Sequence, residues 1–132
     1  MAESLVLDAS AMVDLLVGSS LAGTISARLQ GSELHVPGHF DAEVLSALGR
    51  LHRAGELTAR QVAERVELVA SSPIGRHLLA PLLRGAWRRR ENLRLVDALY
   101  VELASQLNTA IITTDRGLAA ASRRAQLIAT DA

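Results

Sequence analysis

Four acidic residues stand where a folded chain can use them together. Asp8 follows the apolar run Leu5-Val-Leu7, and Asp115 follows Ala110-Ile-Ile-Thr-Thr114, a segment dominated by β-branched residues. Each therefore closes a stretch that reads as a short buried strand. Glu43 and Asp97 lie in the two segments of clearest helical period, where each flanks the apolar stripe rather than the opposite face. Carboxylates brought together at neutral pH repel, so either some take up protons or a cation joins them. Oxygen-only ligation in a chain without Cys suits Mg²⁺ or Mn²⁺. Such an ion lowers the pKa of bound water and offsets charge on a phosphodiester, which is metal-assisted phosphoryl hydrolysis. For Asp8 and Asp115 a plainer reading stays open, because Asp is a favoured helix N-cap and each precedes a helical segment.

The elements that must position these acids follow from period and punctuation. Leu5 to Leu7 reads as the first strand, and Ser10 offers an N-cap for a helix through about Val17. Leu21, Ile25 and Leu29 have helical spacing before Gly31, and Glu33 to Val36 alternates into the turn signal Pro37-Gly38. Phe40, Val44, Ala47, Leu48 and Leu51 form the stripe of a helix from about His39 to Ala54, closed by Gly55. Thr58 and Gln61 resemble a capping box opening a helix that ends near Ser71-Ser72-Pro73. The segment from Ile74 to Asn92 is interrupted by Gly75, Pro81 and Gly85, with a short helix from Leu82 to Arg90. Val96, Leu99, Tyr100, Leu103, Ala104 and Leu107 make the stripe of another helix. After the strand at Ala110 to Thr114 come a short helix from Gly117 to Arg124 and a final strand from Gln126 to Thr130. Strands alternating with helices predict an α/β fold: a three-layer α/β/α sandwich around a central, mostly parallel sheet of roughly four or five strands. No linker or repeat divides residues 1–132, which read as a single domain.

Composition narrows the chemistry. Basic and acidic residues balance at 14 each, so nucleic-acid binding needs a local patch rather than a global field. All of the basic residues are Arg, which removes Schiff-base and lysine-dependent mechanisms while keeping good phosphate ligands. Aromatic residues are only 2% of the chain, so stacking platforms for bases are scarce. The longest uncharged run, Leu15 to Ala27, is too short for a bilayer, and no basic-then-apolar leader opens the chain, so it reads as unexported, cytoplasmic and without a membrane partner.

The segments "LVLDASAMVDLL", "VPGHFDAEVLSAL", "ENLRLVDALYVELA" and "AIITTDRGLAAAS", in that order, resemble the four motif blocks of PIN-domain ribonucleases, and specifically the VapC-type toxins of bacterial toxin–antitoxin pairs. The resemblance covers nearly the whole chain and implies a PIN-like fold. It implies that Asp8, Glu43, Asp97 and Asp115 are the catalytic, metal-holding acids, with Ser10 and Thr113 as supporting polar positions. It further implies a Mg²⁺- or Mn²⁺-dependent endoribonuclease, a homodimer, and a cognate antitoxin that covers the active-site groove. One position departs: the residue three before Asp97, often small and polar in relatives, is Arg94 here.

Arg84, Arg88, Arg89, Arg90 and Arg94 form the densest positive run and are candidates for holding RNA phosphates beside the acids. The helical wheel turns Asp14 away from Asp8, so Asp14 is expected to be a solvated bystander, as are Asp41 and Glu102, while Asp131 lies in the tail. His35, His39, His52 and His77 lack paired metal spacing and read as surface or turn residues, with His39 nearest the acid helix, and Trp87 is expected to pack an irregular segment. Rival readings weaken in turn. A phosphoacceptor receiver needs a lysine, a haloacid-dehalogenase-type phosphatase needs Asp-x-Asp where Asp8-Ala9-Ser10 stands, and no Gly-rich phosphate loop follows any strand. The rival of another class is a non-catalytic PIN-like module that binds RNA or protein; the presence of all four acids argues against it.

Overall fold

The computed structural model describes residues 2–130, so Asp131 lies outside the described residues. Five parallel strands form one sheet in the order β3-β2-β1-β4-β5. Their bounds are β1 Ser4–Leu7, β2 Glu33–Pro37, β3 Gly75–His77, β4 Ala110–Thr113 and β5 Ala125–Leu127. The helices are α1 Ala9–Val17, α2 Ala22–Leu29, α3 Phe40–Arg53, α4 Ala59–Ser71, α5 Leu83–Arg88, α6 Leu95–Leu107 and α7 Arg116–Ala121. The chain runs outward from β1 to β3, then returns to build β4 and β5 on the other side of β1. Right-handed crossovers therefore set α1 to α4 on one face and α5 to α7 on the other, giving the expected three layers.

Strand β1 is covered on both faces, which is why it reads as a continuous apolar run: Leu5, Val6 and Leu7 have no exposed surface, and neither have Ile111 and Ile112 beside them in β4. Because the sheet order reverses at β1, the carboxyl ends of β1 and β4 open onto the crevice where ligands bind in such sheets. Asp8 follows the first of these strands, and Asp115 lies just beyond the second.

The helix-period readings hold with local corrections. On α3, Phe40, Val44 and Leu48 are buried as the stripe requires. The capping box of α4 is formed, with the Gln61 backbone N–H donating to Thr58 Oγ1 at 3.1 Å and the Thr58 N–H to Gln61 Oε1 at 2.9 Å. The N-cap of α1 is Asp8 and not Ser10, which lies inside the first turn. Strand β3 lies in the segment that Gly75, Pro81 and Gly85 mark as irregular; Gly-Arg-His carries no β-branched residue, and the strand is built by pairing to β2, with Val36 opposite Arg76. Helix α6 is buried almost all round, but Val96 at its start is 42% exposed. Among the described residues no single helix is long and apolar enough to cross a membrane.

The short helix α5 explains why Glu102 is not solvated. It lies on α6 at Gly85, and Glu102 is held beneath it, accepting from Arg89 Nη2 at 3.1 Å and Gln106 Nε2 at 2.9 Å. A Cβ at position 85 would collide with the Glu102 carboxylate. Gly85→Ala must therefore push the carboxylate off Arg89 and is expected to cost about 1–3 kcal/mol in denaturant unfolding. In a Glu102→Ala background the same substitution should cost much less, and equal costs in both backgrounds would refute the contact.

Candidate active site

Asp8, Asp14, Glu43, Asp97 and Asp115 line one cleft of about 320 Å³ at the strand ends, together with Ser10, Arg50 and Arg94. The sheet positions two of these acids. Asp8 occupies the N-cap position of α1 but makes no capping bond. Instead its Oδ2 accepts from Ser10 Oγ at 2.6 Å and from Thr113 Oγ1 at 2.7 Å. Each hydroxyl has one proton, so both are committed to Asp8, and the 3.2 Å approach of Ser10 to Thr113 is a contact between two oriented donors. The same oxygens then accept from the next turn: Thr113 Oγ1 from the Asp115 N–H at 2.9 Å and Ser10 Oγ from the Thr114 N–H at 3.1 Å. Asp115 does cap its helix, its Oδ1 accepting from the Gly117 and Leu118 N–H groups at 2.8 and 3.2 Å. The plain reading thus holds for one oxygen of Asp115 and fails for Asp8.

The other two acids come from helices. Glu43 Oε1 accepts from the phenol of Tyr100 at 2.7 Å and lies 3.3 Å from His39 Nε2. That same nitrogen is 2.9 Å from the Val96 carbonyl, so it carries the proton and His39 straps α3 to the start of α6. Burial, followed by the Glu43 bond, raises the Tyr100 hydroxyl far above its ordinary pKa and keeps it a donor. Asp97 is 8% exposed and is held by the fork of Arg94, with Nε to Oδ2 at 3.0 Å and Nη2 to Oδ1 at 3.3 Å.

Burial pushes the Asp8 carboxyl above its ordinary pKa despite the two hydroxyl bonds that favour its charge, and the negative charges of Asp97 and Glu43 add to the rise. Among the described residues Asp8 Oδ1, Glu43 Oε2 and Asp115 Oδ2 accept no hydrogen bond. No three acidic or histidine side chains among the described residues are gathered closely enough to hold an ion as they stand. The donor set nonetheless fits a hard divalent cation: acids with free carboxylate oxygens line one cleft, the charge of buried Asp8 is disfavoured there, and the cation paired with one of the acids is the Arg94 guanidinium.

Two expectations about neighbours change. Asp14 is not a bystander: it lines the cleft and accepts from Thr114 Oγ1 at 2.9 Å. The wheel misled because Asp8 lies outside the helix; within it, Ser10 and Asp14 are four apart and share the cleft face. The arginine run disperses. Arg94 alone joins the acids, Arg89 pairs with Glu102, and Arg90 stacks 4.6 Å over Trp87, which is 57% exposed rather than packed. Arg88 and Arg89 line a separate cleft with Arg123 and Arg124, and Arg84 is exposed on α5. Arg50, also at the cleft wall, donates to Ser46 at 3.0 Å. His35 and His77, far apart in sequence, are brought to 3.0 Å by the β2–β3 pairing, while Asp41 pairs with Arg76 at 2.7 Å on the surface.

A carboxyl with a higher pKa folded than unfolded destabilises the fold fully at pH above both values, and the penalty fades as pH falls through the folded value. Asp8→Asn in chelator should therefore melt a few degrees above the natural chain at neutral pH, with the gap closing as pH falls toward about 4. A pH series of melting curves checks this; a gap that widens with acid would contradict it.

Known proteins resemble this chain in sequence and in fold. The PIN-domain family model matches residues 5–124. Ribonuclease VapC3 of Mycobacterium tuberculosis is 53% identical over 120 residues, covering 90% of this chain and 88% of that one. Among solved structures, Mycobacterium tuberculosis VapC20, a Sarcin-Ricin loop cleaving toxin, superposes with a TM-score of 0.67 at 19% identity, over 89% of this chain and 95% of that one. A toxin–antitoxin complex from Klebsiella pneumoniae gives a TM-score of 0.71 at 16% identity, over 95% of this chain and 98% of that one.

Proposed function

The chain belongs to the PIN-domain family, in its VapC ribonuclease branch, and on that premise we propose that it is the toxin of a toxin–antitoxin pair, a Mg²⁺- or Mn²⁺-dependent endoribonuclease. The observation that carries the reading is the cleft itself, lined by Asp8, Glu43, Asp97 and Asp115 from two strand ends and two helices, with an oxygen to spare on Asp8, Glu43 and Asp115. Those four side chains would hold the divalent ion, which when bound supplies an activated water and offsets charge on the scissile phosphate. Ser10 and Thr113 keep Asp8 turned so that its free oxygen faces the cleft. Tyr100 and His39 fix Glu43 from behind, and Arg50 and Arg94 at the cleft wall are the cations nearest an arriving phosphate. Arg84, Arg88, Arg89 and Arg90 lie further along the α5 side, where they can meet the RNA backbone only beyond the cleft. The active form is a homodimer in the cytoplasm, restrained by a cognate antitoxin that covers the groove.

Purified protein incubated with a mixed RNA substrate should cleave it with Mg²⁺ or Mn²⁺ and stop in chelator, and Asp8→Asn should be inactive under the same conditions. Cleavage that survives either change would overturn the mechanism. Tyr100→Phe removes a hydrogen bond to a metal-holding acid without touching the acid and is expected to weaken Mn²⁺ binding by about tenfold. Unchanged Mn²⁺ affinity by calorimetry would show that Glu43 needs no such support.

A further inference from the structure

Asp97 differs from the other acids in having both oxygens engaged, and by one residue, Arg94. Arg94 stands at the N-cap position of α6 in extended conformation (φ −60°, ψ 145°) and makes no capping bond. A Ser or Thr there would accept from the first-turn backbone; Arg94 instead sends its side chain forward to the acid three residues on. The fork is a charge-assisted, two-point contact, yet the Arg94 side chain is 72% exposed while that of Asp97 is 12% exposed. Asp97 is the only acceptor it has among the described residues. The guanidinium is thus lodged at the buried acid by its tip alone, on a stem free to swing into solvent. Glu43 and Asp115 lie close enough to add to the field that holds it.

We propose that Arg94 is a tethered counter-cation, one that occupies Asp97 in the metal-free chain and must be displaced before a divalent ion can take that carboxylate, so that residue 94 sets the metal affinity of the site. The inference rests on the metal-dependent reading above and concerns only how this chain meets the ion. An ion bound at about 2.1 Å from an Asp97 oxygen would stand beside the guanidinium, and the two positive charges cannot share that acid at low cost. A chain with a small polar residue at this position has no such competitor. The result is an Asp97 neutralised before any metal arrives, at the expense of weaker metal binding. Arg94 is on this account a positioning residue for Asp97 and not a ligand.

The test is Mn²⁺ binding to the metal-free full chain by isothermal calorimetry, with circular dichroism confirming that each variant is folded. Arg94→Gln and Arg94→Ala should bind Mn²⁺ roughly fivefold or more tightly than the natural chain, and Arg94→Lys, which keeps the charge, should return most of the way to natural affinity. Equal affinity in all four chains, or weaker binding in the Gln and Ala variants, would overturn the inference and leave the metal site standing. Binding in none of them would overturn both the inference and the metal-dependent reading.

Discussion

The structure depends on one buried carboxylate oxygen. Asp8 Oδ2 takes the protons of Ser10 and Thr113, and through them the end of β1, the first turn of α1 and the end of β4 are fastened at a single point. Thr113 is fully buried and Asp8 is 6% exposed, so water does not compete for these bonds. The strand pairing alone fixes Asp8 only as far as its backbone N–H, which donates to the Ile112 carbonyl at 3.0 Å. The hydroxyls do the rest: they choose the rotamer, occupy one oxygen and leave the other toward the cleft. Because Thr113 and Ser10 also accept the Asp115 and Thr114 N–H groups, the turn carrying the fourth acid is set by the same pair of side chains.

This arrangement works against stability at Asp8. Burial raises the pKa of Asp8 while the charges of Asp97 and Glu43 press on it, so the fold alone would be better served by a neutral residue at position 8. A purely structural site would use Asp8 as it uses Asp115, to cap a helix, and would place no further acids around it. Here the cap bond is forgone and Asp14 is added at the rim. The cleft carries only Arg50 and Arg94 against these acids, and Arg50 is turned toward Ser46. An excess of negative charge persists that solvent screens only in part, which is the condition under which a cation binds.

Much of this was legible in the sequence, and what was not has identifiable causes. The acids at strand ends were visible because a parallel sheet converts strand order into a line of positions along one edge, and because Leu5-Val-Leu7 and Ala110-Ile-Ile are too apolar to be anything but central. Glu43 and Asp97 were visible as acids flanking clear stripes. Asp14 was missed because the helical wheel was anchored on Asp8, a residue outside the helix; anchored on Ser10 it points into the cleft. The arginine run misled because adjacency in sequence is not adjacency in space: the short helix α5 turns Arg89 onto Glu102 and Arg90 onto Trp87, and only Arg94, beyond its end, reaches the acids. No local signal marked Glu102 as half-buried, since the element covering it is six residues long and interrupted by Gly85.

The two pairs of acids are held by different means, with consequences for how the site can move. Asp8 and Asp115 are fixed by the sheet, whose central strands are fully buried over the three residues that lead to them and have little freedom to shift. Glu43 and Asp97 come from helices that cross opposite faces of that sheet, and the register between them is carried by side chains: Tyr100 donating to Glu43, and His39 bridging to the Val96 carbonyl. Tyr100 is fully buried and Phe40 at the start of α3 is buried with it, so this link is dry on its core side, while Glu43 and the His39–Val96 contact reach toward solvent. Asp97 is held from the solvent side, by an arginine that exposes most of its length. Asp8 is thus positioned from within by the fully buried Thr113 and Asp97 from without by a side chain with open solvent beside it, so the fold holds these two acids with unequal firmness.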